Sequence, residues 1–318
     1  MSTTTEQSPH IVQSPEWGQF KNDYGTSAVR VGAIQYTKHQ IPFSNYFFGY
    51  CPKVDPFKID FDAMKRSLEE NNCINVNFDV PNVFSDGKNA EAALKLFQEK
   101  NCVKSPRDQF ATANVILDIS STEDELLKGM HHKQRYNVRY AQKKGVKVRK
   151  VESGEDFDTF FKLYKETSQR QKYFSRPKVY LKKIWDLFGP KDMCFVMLAE
   201  HEGTPLAGWF FLVYEGVLYY PYGGSSLEKR NLQASSLLAW EGIRLGKTKS
   251  CHTFDMWGAG EDPENKKDPW WGFTNFKLRF GGKYVRYIDS YDYVVNPALY
   301  KMFSVANSIR WGLLGMTS

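Results

Sequence analysis

The sequence predicts an α/β protein (α+β in the arrangement of its elements) with two domains, each built around a mixed sheet. The chain has 318 residues, which is enough for two domains of ordinary size. Its two halves also repeat one order of elements: strand, turn, strand, tyrosine-proline step, helix, strand. This order runs over residues 29–78 and again over residues 193–257. We therefore expect a first domain at residues 1–150 with 296–318, and a second at 151–295.

Composition and charge indicate a globular protein with an anionic partner. Hydrophobic residues make up 42% of the chain and aromatic residues 15%, which is typical of a folded protein. The formal net charge of +7 favours phosphates, nucleic acid or an anionic membrane surface as the partner. The five cysteines are scattered without a CxxC pair, so neither a metal site nor a disulfide framework is indicated, and a cytoplasmic location is expected.

The N-terminus and the apolar runs predict no membrane segment. The first ten residues, MSTTTEQSPH, lack the apolar core of a signal peptide, and we expect a flexible lead up to about Pro15. Because the chain contains no run of about 18 apolar residues, no bilayer span is expected.

The first half of the chain alternates strands with amphipathic helices. Phe61, Met64 and Leu68 have helical spacing, and Thr122 with Glu125 forms a capping box that opens another helix. The expected elements are strand 29–36, turn 38–42, strand 44–49, helix 61–71, strand 73–78, helix 90–99, strand 114–119 and helix 122–130.

A strongly basic segment follows at residues 133–150, with eight Lys or Arg and no acid. Gly145 marks the end of a helix, on which Arg135 and Arg139 lie four residues apart and share one face. A run of charge is often only a solvated helix face. The missing acids favour contact with an anion instead.

The second half again predicts strands joined by tight turns, with helices between them. Pro177 suits the first turn of a helix, and Gly246 ends a later one. The expected elements are helix 177–185, strands 193–200, 206–214 and 217–222, loop 223–226, helix 232–245, strands 251–257 and 284–287, and a closing helix 297–313.

The segment WWGFTNFKLRFGG at residues 270–282 concentrates aromatic residues around two cations. Its pattern matches neither a strand nor a core helix, so we expect a turn anchored by its aromatic side chains. Lys277 lies among these aromatics, where its charge would be poorly screened and could stabilise a negative charge developing on a carbonyl oxygen. The alternative is that Lys277 extends to the surface from an aromatic core.

The order of strands and helices resembles two tandem GCN5-related acyltransferase (GNAT) domains with mixed central sheets. In that superfamily, the helix after the central strand begins at a glycine-rich loop that binds the pyrophosphate of acetyl-CoA. The matching stretch here, RNLQASSLL at residues 230–238, contains no glycine. This puts acetyl-CoA in doubt as the donor.

Several motifs together resemble the Fem family of aminoacyl-tRNA-dependent peptidyltransferases. They are RYNVRYAQKKGVKV, YPYGGS at 220–225, FDMWG at 254–258, FK at 276–277 with FGG at 280–282, and the stretch 35–55. The resemblance implies transfer of an amino acid from charged tRNA to an amine of a peptidoglycan precursor, either UDP-linked muramyl pentapeptide or its lipid-linked form. It also implies the compact type without a coiled-coil arm, no cofactor, and peripheral contact with the inner membrane surface.

The resemblance also implies residue roles. Lys38 and Arg176 would hold the precursor's phosphates, and Tyr180, four residues on from Arg176, would lie on the same helix face. Tyr222 would line the same cleft, and Lys277 would lie near the reacting centre. Asp255 belongs to the family's D-x-x-G turn. On the basic helix, the residues expected to meet tRNA are Arg135, Arg139 and Lys143. Each residue also has a structural reading, such as a hairpin-turn cation for Lys38 or a loop cap for Asp255.

Two other classes of function stay open at the level of sequence. One is a CoA-dependent N-acyltransferase acting on another amine, and the other is a non-catalytic protein that binds RNA or the precursor. The sequence has no G-x-S-x-G motif and no evident Cys–His arrangement, so no covalent enzyme intermediate is indicated. The general base is not identified, and Asp118 at a strand end is a candidate.

Overall fold

The computed structural model describes residues 7–313, with side chains described up to residue 305. The helices are α1 (Pro15–Asp23), α2 (Phe61–Glu70), α3 (Ala90–Glu99), α4 (Glu123–Gly129), α5 (His132–Lys143), α6 (Gly154–Gln171), α7 (Lys178–Phe188), α8 (Ala234–Thr248), α9 (Trp271–Leu278) and α10 (Pro297–Leu313). The strands are β1 (Ala28–Val31), β2 (Ile34–Gln40), β3 (Phe47–Pro52), β4 (Cys73–Asp79), β5 (Val103–Lys104), β6 (Ala113–Asp118), β7 (Lys147–Lys150), β8 (Cys194–His201), β9 (Thr204–Tyr214), β10 (Val217–Ser225), β11 (Thr253–Gly258), β12 (Lys283–Arg286) and β13 (Tyr291–Val294).

The chain forms two compact units whose limits differ from the expected domains. The first unit contains the residues up to Thr112 and those from Arg286 onward, and the second unit runs from Ala113 to Val285. The predicted boundary at residue 150 is wrong because β6 pairs with β11 and β7 pairs with β8, which places the basic segment in the second unit.

The first unit is built on a sheet with the order β1-β2-β3-β4-β13-β5. Its parallel pair is β3–β4, and its other neighbours are antiparallel. Helix α2 buries Phe61, Met64 and Leu68 as their spacing predicts. These side chains join a core that includes Phe78 and Phe97.

Two predictions for the start of the first unit are wrong. The expected strand 29–36 is a hairpin of β1 and β2 that turns at Gly32, whose φ of 59° favours glycine. The expected flexible lead is ordered from residue 7 up to Pro15, because Ile11 is buried and the Gln13 side chain donates to the Pro52 carbonyl at 2.8 Å. Residues 1–6 of that lead lie outside the described part of the chain.

The second unit is built on a sheet with the order β12-β6-β11-β10-β9-β8-β7, in which β10 and β11 are parallel. Helices α6 and α8 cover opposite faces of β9, as the alternation of a strand requires. A Cβ added at Gly208 would contact Phe160 of α6, whereas the ring of Phe211 lies against Gly242 of α8.

The expected loop at residues 223–226 is largely strand, since β10 continues to Ser225. Gly224 is needed there because an added Cβ would lie 2.2 Å from the carbonyl oxygen of Leu163 in α6. The second glycine of YPYGGS therefore allows a helix and a strand to approach closely.

The expected turn at residues 270–282 is also different, because most of it forms helix α9. Thr274 and Lys277, three residues apart, are the buried side chains of this helix, while Trp270 and Phe273 are partly exposed. A helix that buries polar residues lacks the apolar periodicity by which helices are predicted. The turn that follows α9 contains Gly281, whose φ of 92° agrees with the glycine signal.

Other elements follow the sequence closely. Thr122 and Glu125 form the predicted capping box at the start of α4, and α10 has the predicted limits. The predicted α/β class with two mixed sheets is confirmed. Within residues 7–313, no helix is both long and apolar enough to cross a bilayer.

Candidate functional site

The parallel pair of the second unit separates before its strands end. Pairing runs from Val217↔Thr253 to Tyr219↔Asp255, although β10 continues to Ser225 and β11 to Gly258. Both strands change register at this point against their antiparallel neighbours. Beyond this point the two strands no longer bond to each other, so their backbone groups can bond with side chains or with a ligand.

Asp255 holds the end of β11 in an unusual conformation. Its carboxylate is buried, and each of its two oxygens lies 2.9 Å from the Asn114 amide nitrogen, which donates to them. One of the oxygens also accepts from the Trp257 N–H at 2.7 Å. Trp257 has a φ of 63°, which is strained for a bulky side chain. Such strain is retained only where the surroundings fix it, as they do here.

Lys277 completes this strand end from helix α9. Its side chain is fully buried, and Nζ donates to the carbonyl oxygens of Gly258 at 2.6 Å and Trp257 at 3.2 Å. Nζ also lies 3.6 Å from the centre of the Phe273 ring. Burial lowers the pKa of Lys277 well below 10.5, and the nearby Asp255 charge opposes that shift. The predicted surface alternative for Lys277 is therefore wrong.

The loop after β11 is fixed by further hydrogen bonds. The buried Thr274 hydroxyl accepts from the Gly260 N–H at 2.9 Å, and the Tyr284 hydroxyl donates to the carbonyl oxygens of Gly260 and Glu261. Helix α9 and strand β12 therefore hold this loop from two sides.

A register change in β10 places two tyrosines on opposite faces of the sheet. Tyr220 stacks on Trp209 with ring centres 3.7 Å apart, whereas Tyr222 packs against Phe210 and Tyr164. An extra residue at a bulge redirects the side chains that follow it in this way. Tyr222 thereby joins a second cluster of site residues.

That cluster contains Arg176 and Tyr180, as predicted, but the two do not share a helix face. Arg176 precedes α7, where its N–H donates to the Tyr164 hydroxyl at 3.0 Å and its guanidinium lies 5.1 Å from the Tyr180 ring centre. Burial is the largest cause that raises the pKa of Tyr222 well above 10, and the nearby Tyr180 raises it further. The charge of Arg176 opposes this shift. The structure therefore brings three of the predicted substrate-binding residues together.

Lys38 lies in the first unit, within strand β2 and not in the expected turn. Its Nζ donates to the Asn71 side-chain oxygen at 3.0 Å and lies 4.9 Å from the centre of the Phe47 ring. The ammonium is partly exposed, and its hydrogen-bond partner is a neutral amide, so its charge is available to an anion.

The three cations expected to meet tRNA have different environments. Arg135 is partly buried and donates to the carbonyl oxygens at the end of α4, namely those of Leu127, Lys128 and Met130. Arg139 and Lys143 are exposed on α5. The expected common role of Arg135 and Arg139 is therefore weakened, because Arg135 caps a neighbouring helix.

One exposed and one partly buried aromatic ring accompany the cations of α5. Tyr136 and Tyr140 stack with ring centres 5.7 Å apart, and the Lys144 ammonium lies 5.6 Å from the Tyr140 ring centre. Stacked rings beside cations are suited to RNA, whose bases stack on aromatic side chains.

Asp118 does not have the properties of a general base. Its carboxylate is exposed and accepts from the N–H and hydroxyl of Ser120, and these bonds lower its pKa below 3.8. Its position opposite Thr253 also separates it along the strand from Asp255. Among the described residues, no group of three His, Cys, Asp or Glu could hold a metal ion.

Asn114 is the residue that sequence reasoning missed. It lies opposite Gly258 in the sheet, fully buried, and its amide nitrogen bonds Asp255 while its oxygen has no hydrogen-bond partner within the described structure. An isolated asparagine gives no signal in a sequence. Its role depends on pairing between strands that lie far apart along the chain.

Comparison with known proteins identifies similar sequences and folds. A model of the FemAB family matches residues 98–202 and 198–308. A Lipid II:glycine glycyltransferase of Staphylococcus epidermidis is 23% identical over 249 residues, covering 59% of this chain and 59% of the relative. The enzyme of that name from Staphylococcus aureus is 23% identical over 254 residues, covering 59% and 60%. The chain thus spans about three fifths of the length of these relatives.

The similarity to solved structures extends over nearly the whole chain. The crystal structure of FemX matches with a TM-score of 0.81 at 19% identity, covering 94% of this chain and 96% of that one. The C-terminal domain of a putative lysylphosphatidylglycerol synthetase from Agrobacterium fabrum matches with a TM-score of 0.57 at 12% identity, covering 93% and 91%. At these identities the likeness concerns the fold.

Proposed function

The chain belongs to the FemAB family, and on that premise we propose that it is an aminoacyltransferase of peptidoglycan bridge synthesis. It would move an amino acid from aminoacyl-tRNA to the stem-peptide amine of a precursor that is either nucleotide-linked or lipid-linked. The names of the relatives, Lipid II:glycine glycyltransferases, support this reaction class and a lipid-linked acceptor.

The observation that carries the proposal is the separated end of β10 and β11 with Lys277 buried beside it. In the reaction, the acceptor amine attacks the ester carbonyl, an amide bond forms, the ester bond to the tRNA ribose breaks, and the proton lost by the amine ends on the released ribose hydroxyl. Negative charge develops on the carbonyl oxygen, and a cation in a site from which water is excluded stabilises that charge strongly. Lys277 supplies the cation, and Asp255 positions the strand end to which Lys277 is bonded.

The acceptor's phosphates are assigned to the cations outside this strand end. Arg176 has a guanidinium suited to bidentate contact with a phosphate, and its neighbours Tyr180 and Tyr222 can add hydroxyl contacts. Lys38 in the first unit offers a point charge of the same sign.

Helix α5 is assigned to the donor. Arg139 and Lys143 can neutralise RNA phosphates while Tyr136 and Tyr140 offer ring faces. Against CoA as donor stands the start of α8, where Lys229 and Gln233 occupy left-handed conformations with φ of 44° and 59°. Side chains at these positions replace the glycines that would let a pyrophosphate approach the backbone.

The experiment combines the protein with a mixture of charged tRNAs and, in separate reactions, the UDP-linked muramyl pentapeptide and its lipid-linked form. We expect the mass of at least one acceptor to rise by one amino-acid residue. Uncharged tRNA and the Lys277→Met variant are the controls. A mass gain from acetyl-CoA alone would support an acetyltransferase, and tRNA binding without any mass gain would support a non-catalytic protein.

A further inference from the structure

The β2–β3 hairpin of the first unit ends in an exposed apolar tip, defined here as Pro42, Phe43 and Tyr46. The tip is ordered by hydrogen bonds: the Ile41 N–H donates to the Tyr46 carbonyl at 2.9 Å, and the Ser44 N–H to the Ile41 carbonyl at 3.2 Å. The Phe43 ring is fully exposed on this fixed turn.

Phe43 also has a strained backbone, with φ of 61°. A bulky side chain is rarely found in the left-handed region, where glycine or asparagine would fit without cost. The turn therefore has two unfavourable features: an aromatic ring exposed to water and a strained backbone at the same residue. Neither cost contributes to the stability of the free protein, which points to a partner that takes up the ring.

Helix α10 extends this apolar surface. Phe48 of the hairpin stacks between His39, at 5.1 Å, and Phe303 of α10, at 5.6 Å. Burial, with a smaller effect of the Lys21 charge, lowers the pKa of His39 to about 4, so the stack is uncharged near neutral pH. Next to Phe303 in α10, Met302 and Val305 are exposed together with Lys301.

We propose that the hairpin tip and the exposed face of α10 (Met302 and Val305) form a membrane-contact surface that inserts into the headgroup region of an anionic bilayer. Aromatic and aliphatic side chains on a rigid turn and a helix, beside a lysine and in a chain of net charge +7, suit such a surface. A protein partner explains the tip less well than a bilayer does, because no charged residue lies between Ile41 and Tyr46 to make recognition of one protein specific.

The position of Lys38 gives this surface a use, which rests on the proposed function. Lys38 lies five residues from Phe43 on the same hairpin, so the two residues are at most about 18 Å apart. The phosphates of a lipid-linked acceptor lie at headgroup depth. A hairpin that inserts its tip there would hold Lys38 on the aqueous side of those phosphates, within the reach of the hairpin arm.

The test uses the full chain with vesicles and needs no catalytic activity. Flotation compares vesicles of phosphatidylglycerol and phosphatidylcholine with vesicles of phosphatidylcholine alone. We expect binding to the first kind, and a loss of about tenfold in the partition coefficient for Phe43→Asn, which removes the ring but suits the left-handed turn. Lys301→Glu should reduce the preference for phosphatidylglycerol. Phe174→Asn, another exposed phenylalanine but in the second unit, is the matched control.

The proposal is overturned if the native chain does not bind anionic vesicles, if Phe43→Asn binds like the native chain, or if Phe174→Asn loses as much. It is also overturned if Phe43 instead supports concentration-dependent self-association in light scattering. Turnover measurements distinguish failure of the membrane-contact proposal from failure of the proposed transferase function. Phe43→Asn should raise KM for the lipid-linked acceptor in vesicles and leave KM for the UDP-linked acceptor unchanged, whereas a chain without the transferase activity turns over neither.

Discussion

The two units end their parallel strand pairs in different ways. In the first unit, β3 and β4 stay paired up to Pro52↔Asp79, the last residues of both strands. In the second, β10 and β11 stop pairing at Tyr219↔Asp255, while both strands continue. Yet each end has a buried aspartate, a non-glycine residue of positive φ after it (Val80 or Trp257), and a buried lysine, Lys53 or Lys277.

The surroundings of the two aspartates explain the difference. Asp79 accepts from the hydroxyls of Tyr50 and Ser290 and from the Gln109 N–H, and its strand stays paired up to its last residue. Asp255 accepts from Asn114 and from the strand end itself, next to an opening in the sheet. The same arrangement of charges therefore closes the sheet in one unit and flanks the proposed reactive site in the other. A repeated fold does not imply a repeated function.

The largest expected effect is a difference in turnover between variants of the two buried lysines, Lys277 and Lys53. Lys277→Met should lower turnover about 100-fold to 1000-fold, because it removes a donor to the developing oxyanion. Lys53→Met removes a lysine buried to the same extent over the Tyr287 ring, and should leave turnover unchanged. Initial rates at saturating substrates, normalised to the folded fraction, give the comparison.

Stability must be measured beside those rates. Lys277→Met leaves the carbonyl oxygens of Trp257 and Gly258 without their donor, at a cost of about 1–3 kcal/mol for each buried group. Its melting temperature should therefore fall as well. Equal losses of turnover in both methionine variants would show that the two buried lysines serve only the fold.

If Lys38 and Arg176 bind the phosphates of the acceptor, a smaller effect on KM is expected from a variant in each unit. Lys38→Ala and Arg176→Ala should each raise KM for the acceptor about 10-fold to 100-fold, the loss of one charge-assisted hydrogen bond, with less effect on kcat. Lys182→Ala, which removes a lysine already paired with Asp186, is the control. An unchanged KM in either variant would show that the replaced residue does not bind the acceptor's phosphates.

The pH dependence of turnover provides a third contrast. Because burial lowers the pKa of Lys277, its ammonium group loses its proton at a lower pH than the usual 10.5. Turnover should fall as pH rises through that lowered pKa, by about tenfold per pH unit, if the charged form is required. The descending limb should be absent from Lys277→Met and retained in Lys53→Met. A native profile that stays flat up to pH 10.5 would contradict the role of the charge.

The smallest effect concerns tRNA. Arg139→Glu with Lys143→Glu should weaken tRNA binding severalfold and lower the slope of log affinity against log salt by roughly two. Lys65→Glu with Lys95→Glu makes the same change of charge on exposed helices of the first unit and controls for net charge. Fluorescence anisotropy across a salt series measures both pairs, and equal slopes would remove α5 from the interface.

Sequence patterns predicted those elements whose signals are local. The capping box of α4, the glycine after α5 and the apolar spacing of α2 depend on neighbours within a few residues. Helix α9 was missed because Thr274 and Lys277 occupy its buried face, where the pattern requires apolar residues. The unit boundary was missed because β6 belongs with β11, which follows it by more than a hundred residues.

The candidate site shows the same division. Lys277 and Asp255 were predicted from their motifs, and the structure places both at one strand end. Asn114 could not be predicted, since its contact with Asp255 depends on sheet register. The difference between Arg135 and Arg139 also required tertiary structure, because the carbonyls that Arg135 binds belong to another helix.

The chain leaves the first unit at Thr112 and returns to it at Arg286, and this has a consequence for synthesis on the ribosome. Strand β13 lies between β4 and β5, and Asp292 joins Asn75 and Asn77 inside that sheet. The second unit is continuous and can fold as soon as it emerges, whereas the first must wait with an incomplete sheet. The part of the protein made first is thus completed last, and chaperones would meet its open β4 edge during that interval.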